Sequence, residues 1–316
     1  MAFEFEPGES VADGVRRIVG SQVARAAAEL GGADAFGLEE AVHAARKRFK
    51  KARAVVRLAR GGLGRKVADR ENARFRDAGR PLSEVRDAAV LIATLDGLAE
   101  RGGDWGIAES FGQARGLLVG RHAAIRGRVL DRDDVLPRLV AVLDEARRDV
   151  RRWEFDGGGW DLIEAGLGRI YRQGAGAFGH AAAAGTDDNL HEFRKRVKDL
   201  WYALTILGPI RPGSTRPRLD QARDLAEHLG ADHDLAVLRD LLSTDPDLKG
   251  GDGGANPLLP LIDAHRADLQ AQALPLGASL YDERPRRFVA RFRTYWRAWR
   301  AESRAARLDL PPDHAD

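Results

Sequence analysis

Cysteine is absent from this chain of 316 residues. Its absence excludes a disulfide framework, thiolate zinc sites and catalysis by a thiol, and it favours a reducing compartment. Long apolar runs are missing as well, since no stretch offers the roughly 20 apolar residues of a membrane-spanning helix. The opening residues 1–7 carry neither a basic nor an apolar leader segment. We therefore expect a cytoplasmic protein that is neither exported nor inserted into a membrane.

The chain has little net charge, +3, although 31% of its residues are charged. The placement of the charges therefore matters more than their sum. Most of the basic residues are arginines, whose planar guanidinium group suits phosphate and carboxylate oxygens. This composition favours anion recognition, although a genome rich in G and C would produce the same bias.

Runs of valine, isoleucine and threonine with the two-residue period of a β-strand are missing too. Alanine, leucine, arginine and glutamate dominate, and apolar residues recur at helical spacing, which predicts an all-α fold. Clusters of glycine and proline mark the expected breaks between helices. These clusters lie at residues 31–32, 61–64, 79–81, 102–103, 157–159, 209–217, 250–254 and 311–312.

The sequence contains an internal repeat. Residues 42–50 (VHAARKRFK) are echoed 148 positions later by residues 190–198 (LHEFRKRVK), and residues 82–91 match residues 229–238 at an offset of 147. Two matched segments in the same order indicate a duplicated helical unit whose halves pack face to face. We predict a single domain over 1–316, with one repeat at about 8–155, a seam at 157–159, a second repeat at about 160–305 and a tail at 306–316.

The first copy of the repeat places its cations on one helical face. At 100° per residue, most of these cations point within about 60° of His43, and Arg53 lies slightly further round. A separate side of the helix is apolar and is expected to be buried. The cationic face comprises His43, Arg46, Lys47, Lys50, Arg53 and Arg57, and the apolar side comprises Val42, Ala45, Phe49, Ala52 and Val56.

The second copy follows the same plan but is less basic towards its C-terminal end, where Trp201 replaces Arg53 and Asp199 replaces Lys51. Its cationic face comprises His191, Arg194, Lys195 and Lys198, and its core face comprises Leu190, Phe193, Val197, Leu200 and Leu204.

A charged helical face is most often a solvated surface. Such a face normally includes acids for i, i+4 pairing, whereas the stretch from His43 to Arg57 contains none. The stretch is about 21 Å long at 1.5 Å per residue, too long for one phosphate. We therefore predict that both faces bind a phosphate polyanion, with histidines that either donate an N–H or become charged. Further candidates for contact are Arg48, Lys51, Arg196, Arg86 and His233.

The Arg86-Asp87 and His233-Asp234 pairs recur at the repeat offset and precede apolar segments. We interpret them chiefly as structural pairs between helices, in which the acid caps or orients its basic neighbour. A contact role for Arg86 and His233 stays open.

At these residues the sequence resembles the conserved histidine α-helical domain (CHAD) family, over nearly the whole chain. A Val-His or Leu-His opening, a basic helix and a following Arg-Asp or His-Asp helix carry the resemblance, and residues 281–299 resemble the family's closing helix. The resemblance implies two pseudo-symmetric four-helix bundles around a basic channel that binds inorganic polyphosphate and places the protein on polyphosphate granules. His233 stands where arginine is usual, which puts equal contributions of the halves in doubt. The triphosphate-tunnel module often fused to such domains is not visible.

Two other function classes remain open. A nucleic-acid backbone would also suit basic helices, but the stripes lack the interleaved aromatics of a stacking platform. A metal-dependent phosphohydrolase would need ligands such as His228, His233 and Asp234, but no metal-ligand spacing appears. Residues 287–299 could form a helix that binds another protein, but their aromatic residues at helical spacing also suit a helix packed in the core. We expect a non-catalytic binder without metal or cofactor.

Overall fold

The computed structural model describes residues 3–102, 108–132, 135–248 and 256–308. Within these ranges the chain is helical and contains no β-strand, which confirms the all-α prediction. The predicted breaks at 250–254 and 311–312 lie outside the described residues, as does most of the predicted tail. A π-helical segment, Gly127–Arg132, follows the seventh helix, and a 3-10 turn, Gly208–Ile210, follows the tenth.

The α-helices are numbered in chain order. They are α1 (Val11–Gly31), α2 (Ala33–Phe36), α3 (Leu38–Leu58), α4 (Arg60–Leu63), α5 (Arg65–Gly79), α6 (Pro81–Gly102), α7 (Ala108–Arg126), α8 (Val135–Arg151), α9 (Asp161–Ala183), α10 (Asp187–Leu207), α11 (Pro212–Thr244), α12 (Leu259–Leu280) and α13 (Pro285–Leu308).

Local sequence explains where several helices begin. The Ser10 hydroxyl accepts a hydrogen bond from the Asp13 N–H at 3.1 Å and caps α1, and Thr186 caps α10 in the same way. Gly64, with φ of +79°, precedes α5 in a conformation that other residues avoid. The predicted closing helix needs a correction: Tyr281 ends α12, and α13 begins at Pro285, whose fixed φ favours the first helical position.

The longer helices of the two halves follow the same order, and equivalent helices are separated by a nearly constant number of residues. Helices α1, α3, α7 and α8 correspond to α9, α10, α12 and α13. The short helices α2 and α4 have no α-helical counterpart in the described part of the second half, and the single long helix α11 takes the place of α5 and α6. Pro81 lacks a backbone N–H and starts α6 after the break at Arg80, whereas the matching His228 can continue the helical hydrogen bonding. The predicted break at 209–217 ends by Arg211, and Pro217 lies inside α11.

The buried side chains do not divide along the repeat boundary. The larger apolar cluster draws on both halves, from Val15 of α1 and Phe49 of α3 to Phe193 of α10 and Phe292 of α13. The smaller cluster is formed by α6, α7, the end of α11, and α12, for example by Leu98 and Leu238. Helix packing is nevertheless strongest within each half, where α1 packs on α3 and α8, and α10 packs on α9 and α11. One four-helix bundle per repeat stays a prediction, because both clusters also contain helices of the other half.

Close backbone contact joins the halves. A Cβ atom at Gly166 of α9 would lie 1.8 Å from the carbonyl oxygen of Leu58 at the end of α3, so only glycine permits this approach. Gly62 of α4 packs similarly against Leu162. The predicted seam at 157–159 falls in the connection between α8 and α9, where Gly157 and Gly159 have positive φ. These contacts hold the basic helix α3 against α9, and the other basic helix, α10, packs on α9 as well.

Candidate anion-binding cleft

Four helices, α3 and α6 from the first half and α10 and α11 from the second, surround a cleft with a volume of about 490 Å³. We call it the central cleft. Both basic helices bury the apolar sides that the sequence predicted, which turns their charged residues towards this space. The cleft is lined by His43, Arg46, Lys47, Lys50, Arg86, Asp87, Val90, Leu91, Arg194, Lys198, Trp201, Tyr202, His233, Asp234 and Val237.

The cleft repeats the same arrangement in each half. Arg46 Nη2 lies 3.4 Å from the Asp87 carboxylate, and Arg194 Nη2 lies 3.9 Å from the Asp234 carboxylate. Arg46 also donates to the Gly79 carbonyl at 3.2 Å and to the Ser83 hydroxyl. Both ion pairs are long, so each arginine keeps donor capacity for a further anion.

The remaining cations of the cleft have no such partner. Within the described residues, Lys47, Lys50, Arg86 and Lys198 form no ion pair with a carboxylate of the protein. Six lysine and arginine side chains face two carboxylates, which leaves four positive charges unbalanced. Like charges held together in a concave site create a strong local field that an anion would neutralise.

Burial in the cleft, together with this field, lowers the pKa of the two central lysines. Burial in the cleft, followed by the charges of Arg46 and Arg194, lowers the pKa of Lys50 to about 8. Burial, followed by the charges of Arg194 and Lys50, lowers the pKa of Lys198 to about 8. Part of the Lys50 side chain reaches solvent, so restricted hydration inside the concave cleft describes its surroundings better than full burial. An anion beside either ammonium group would reverse these shifts.

The histidines occupy different positions in the two halves. His43 lines the cleft, and burial together with the charge of Arg86 lowers its pKa. His191 lies behind His233, with 3.2 Å between their Nδ1 atoms and 4.3 Å between ring centroids. Burial, Arg194 and His191 lower the pKa of His233 to about 4. With both rings neutral, one Nδ1 donates to the other, and His233 is the ring that faces the cleft.

The sequence of residues 17–243 matches the family model described as the CHAD domain. This chain belongs to the CHAD family. The match covers more than half of the chain and includes all four helices of the central cleft. The family is associated with polyphosphate-related and phosphate-related proteins. A comparison with curated proteins finds no match for the chain.

Several predicted site residues of this CHAD protein lie outside the central cleft. Arg53 lines an adjoining groove with Arg76 and Arg80, and burial together with Arg57 lowers its pKa to about 10. Arg57 is bound by Asp199 of the other half at 2.5 Å. A helical wheel of α3 could not predict this ion pair, because Asp199 belongs to α10. The stripe expected over about 21 Å therefore lines the cleft only from His43 to Lys50, about 10 Å of helix.

The other predicted contacts outside the cleft have partners of their own. Lys195 pairs with Glu192 on the same helix, and Arg196 is bound by Glu192 at 2.6 Å. Arg48 pairs with Glu29 of α1 at 2.8 Å. The Lys51 ammonium lies 4.7 Å from the centroid of the Phe3 ring, a cation–π contact. In each case a neighbour on the outer side of the helix holds the charge away from the cleft.

Sequence reasoning missed three features of the CHAD cleft. Asp87 and Asp234 lie inside α6 and α11, one residue from Arg86 and His233, so both pairs face the cleft and do not cap helices. Their recurrence at the repeat offset was the available signal. Trp201 also lines the cleft and stacks on Tyr202 at 5.1 Å, which supplies an aromatic surface beside the cationic stripes. Val90, Leu91 and Val237 complete an apolar part of the lining.

Among the described residues, no three histidine, aspartate or glutamate side chains come together in a group that could hold a metal ion. None of the helices in the described ranges combines the length and apolar character needed to cross a membrane.

Proposed function

We propose that this CHAD protein binds inorganic polyphosphate in the central cleft without catalysis, by neutralising its charge. The observation that carries the proposal is the set of unpaired cations from both halves, Lys47, Lys50, Arg86 and Lys198, around one cavity. Unpaired ammonium and guanidinium groups in a partly desolvated site are costly unless an anion joins them. The two long ion pairs of Arg46 and Arg194 add donors that an incoming phosphate oxygen could use.

The distribution of the cations favours a chain of phosphates over a single one. Four helices contribute to the lining, and Arg46 and Lys50 line both the central cleft and the adjoining groove. Arg53, Arg76 and Arg80 extend the positive surface in that groove. A polymer could follow this surface out of the cleft, whereas one phosphate would satisfy only a few of the donors.

The kind of groups present supports binding without turnover. Arginines and lysines stabilise the phosphate charge itself, whereas hydrolysis needs an activated water, usually from a metal or a general base. The phosphohydrolase alternative would require His228, His233 and Asp234 to hold metal, and the described residues offer no such group. We expect no phosphate release from polyphosphate, with or without added divalent metal, and binding that a chelator leaves unchanged. Release of phosphate that depends on added metal would contradict our proposal and favour the phosphohydrolase.

Nucleic-acid binding is the second candidate, and the half-buried Trp201 in the cleft lining is the observation that favours it, since bases stack on accessible aromatic rings. Competition between long-chain polyphosphate and single-stranded DNA or RNA separates the two. We expect polyphosphate to displace either nucleic acid at equal phosphate concentration, and Trp201→Ala to leave polyphosphate affinity within about twofold.

The direct test of the proposal is a calorimetric titration with polyphosphates of graded length. The combined change Arg46→Ala, Lys47→Ala and Lys50→Ala should weaken binding more than about tenfold, because each lost charge-assisted contact costs about 1.5–3 kcal/mol. Helicity should stay unchanged, since these side chains line a cavity and leave the core intact.

The matched control removes three other arginines, Arg147, Arg148 and Arg151, which lie exposed on α8 away from the cleft. Equal losses in the two triple variants would show that only overall charge matters and would contradict a defined site. If the protein also accompanies polyphosphate in cells, a fluorescent fusion should concentrate on polyphosphate granules, and the cleft variant should not.

A further inference from the structure

A second, smaller cavity lies where α3, α4, α5, α9 and α10 meet, with a volume of about 150 Å³. We call it the arginine pocket. Four guanidinium groups line it, those of Arg57, Arg60, Arg169 and Arg196, together with the amides of Asn72 and Gln173. It includes two of the predicted cations that the central cleft leaves out, and both halves of the chain contribute to it.

The carboxylates around the pocket do not balance these arginines. Asp69 pairs with Arg60 at 2.9 Å, and Asp199 is shared between Arg57 at 2.5 Å and Arg196 at 3.7 Å. Glu192, which binds Arg196, also pairs with Lys195 of the same helix. The pocket therefore keeps an excess of positive charge after its ion pairs are counted.

Arg169 is the least compensated member. Within the described residues it forms no ion pair, and its hydrogen bond goes from Nη2 to the main-chain carbonyl of Arg57 at 2.6 Å. Burial, followed by the charge of Arg60, lowers its pKa. The buried Nε of Arg57 finds no hydrogen-bond acceptor in the described part of the chain. A buried donor such as Arg57 Nε is normally satisfied in a native protein, so its position beside an excess of positive charge indicates a missing acceptor.

Size and separation distinguish this pocket from the cleft. Its volume is about a third of that of the central cleft, enough for one small anion and too small for a run of linked phosphates. Asn72 stands between it and the adjoining groove, because its Oδ1 accepts hydrogen bonds from Arg53 at 3.0 Å and from Arg57 at 3.3 Å. An anion in the pocket would thus sit next to the path proposed for the polymer without lying on it.

We propose that the arginine pocket is a second binding site, specific for a single tetrahedral phosphate group. Guanidinium forks from several directions and amide donors are the groups that recognise such an oxyanion. The phosphate could be free orthophosphate or the terminal group of a polyphosphate chain, since both present the same oxygens. The second source rests on the proposed polyphosphate binding, and the first does not.

The experiment titrates orthophosphate alone into the full chain, followed by calorimetry and by ³¹P line width. Arg169→Gln should weaken orthophosphate binding at least about tenfold, because it removes a charged donor. Arg172→Gln, an exposed arginine on the same helix, is the control and should change it less than twofold. The double cleft variant Lys50→Gln and Lys198→Gln should also leave it unchanged. Arg60→Gln replaces Arg169→Gln if the latter lowers helicity.

A second arm compares ordinary long-chain polyphosphate with the same polymer carrying blocked ends. Suppose that the wild-type protein shows no orthophosphate binding, while blocked ends and Arg169→Gln each weaken polymer binding by the same factor. In that case the group that occupies the pocket is the terminal phosphate of the chain. If Arg169→Gln and Arg60→Gln change neither titration, the pocket is not a phosphate site. The proposal is also overturned if the double cleft variant loses orthophosphate binding while Arg169→Gln keeps it. If the double cleft variant loses only its affinity for the polymer, that result tests the proposed function and does not bear on the arginine pocket.

Discussion

The two central lysines predict how polyphosphate affinity depends on pH. The pKa of Lys50 and that of Lys198 are each lowered to about 8, from an ordinary value of about 10.4. A bound polyanion favours the ammonium form and raises both values again, so protons are taken up on binding when the pH exceeds about 8. Affinity should therefore change little near pH 7 and should fall increasingly as the pH rises through about 8.

The size of the effect follows from the shift. If binding restored the ordinary pKa, each lysine would reduce affinity about tenfold between pH 7 and pH 9, or about a hundredfold together. Solvent reaches part of the Lys50 side chain, and screening there reduces its share. We expect a net decrease of about tenfold to a hundredfold.

Calorimetry in two buffers with different ionisation enthalpies measures both affinity and the number of protons taken up. Proton uptake should approach two per site near pH 9. The control is the double variant Lys50→Arg and Lys198→Arg, because arginine stays protonated in this range and should give a flat profile. Any pH dependence that this arginine variant keeps comes from titration of the polymer's own end groups and can be subtracted. A wild-type affinity that does not change between pH 7 and 9, or an equal decrease in the arginine variant, would refute the reasoning.

Three other predictions test the charge and the framework of the cleft. Six phosphate contacts would give a slope of about −4 in log K against log salt, at about 0.7 per contact, and a slope near zero would contradict charge neutralisation. Replacing Asp87 and Asp234 with asparagine should raise affinity about fivefold at low salt by removing repulsion; weaker binding would mean that they chiefly orient their arginines. Gly166→Ala should lower the free energy of unfolding by about 1–3 kcal/mol or more through overlap with the Leu58 carbonyl. Gly176→Ala on the same helix, with open space around it, should raise that free energy by about 0.5–1 kcal/mol, and equal effects in urea unfolding would contradict the close contact.

Much of the cleft could be predicted because helical periodicity is local. Val42, Phe49 and Phe193 recur at the spacing of one helical face and are buried, which fixes the opposite faces of α3 and α10. Arg46 and Arg194 then fall in the same cavity, at equivalent points of the two halves. The repeat offset alone is enough to bring these two residues into correspondence, because duplicated segments keep their internal spacing.

Residues near the ends of the stripes could not be placed in this way. A helical wheel gives the direction of Arg57 but not the acid that meets it, and Asp199 arrives from the other half of the chain. His191 occupies the position of the repeat that is equivalent to that of His43, yet it contacts His233, and of these two histidines only His233 lines the cleft. Contacts between helices far apart in sequence decide such cases, and no local pattern encodes them.

The sequence by itself determined the helical class, the duplication and which side of each basic helix is charged, because all three depend on residue spacing along one chain segment. Tertiary structure alone decided which charges face each other, that α6 and α11 add Arg86, Asp87, His233 and Asp234 to the cleft, and that four arginines converge in a separate pocket. The physical reason is that charge interactions depend on distance through space, and that distance is set by how the two halves pack.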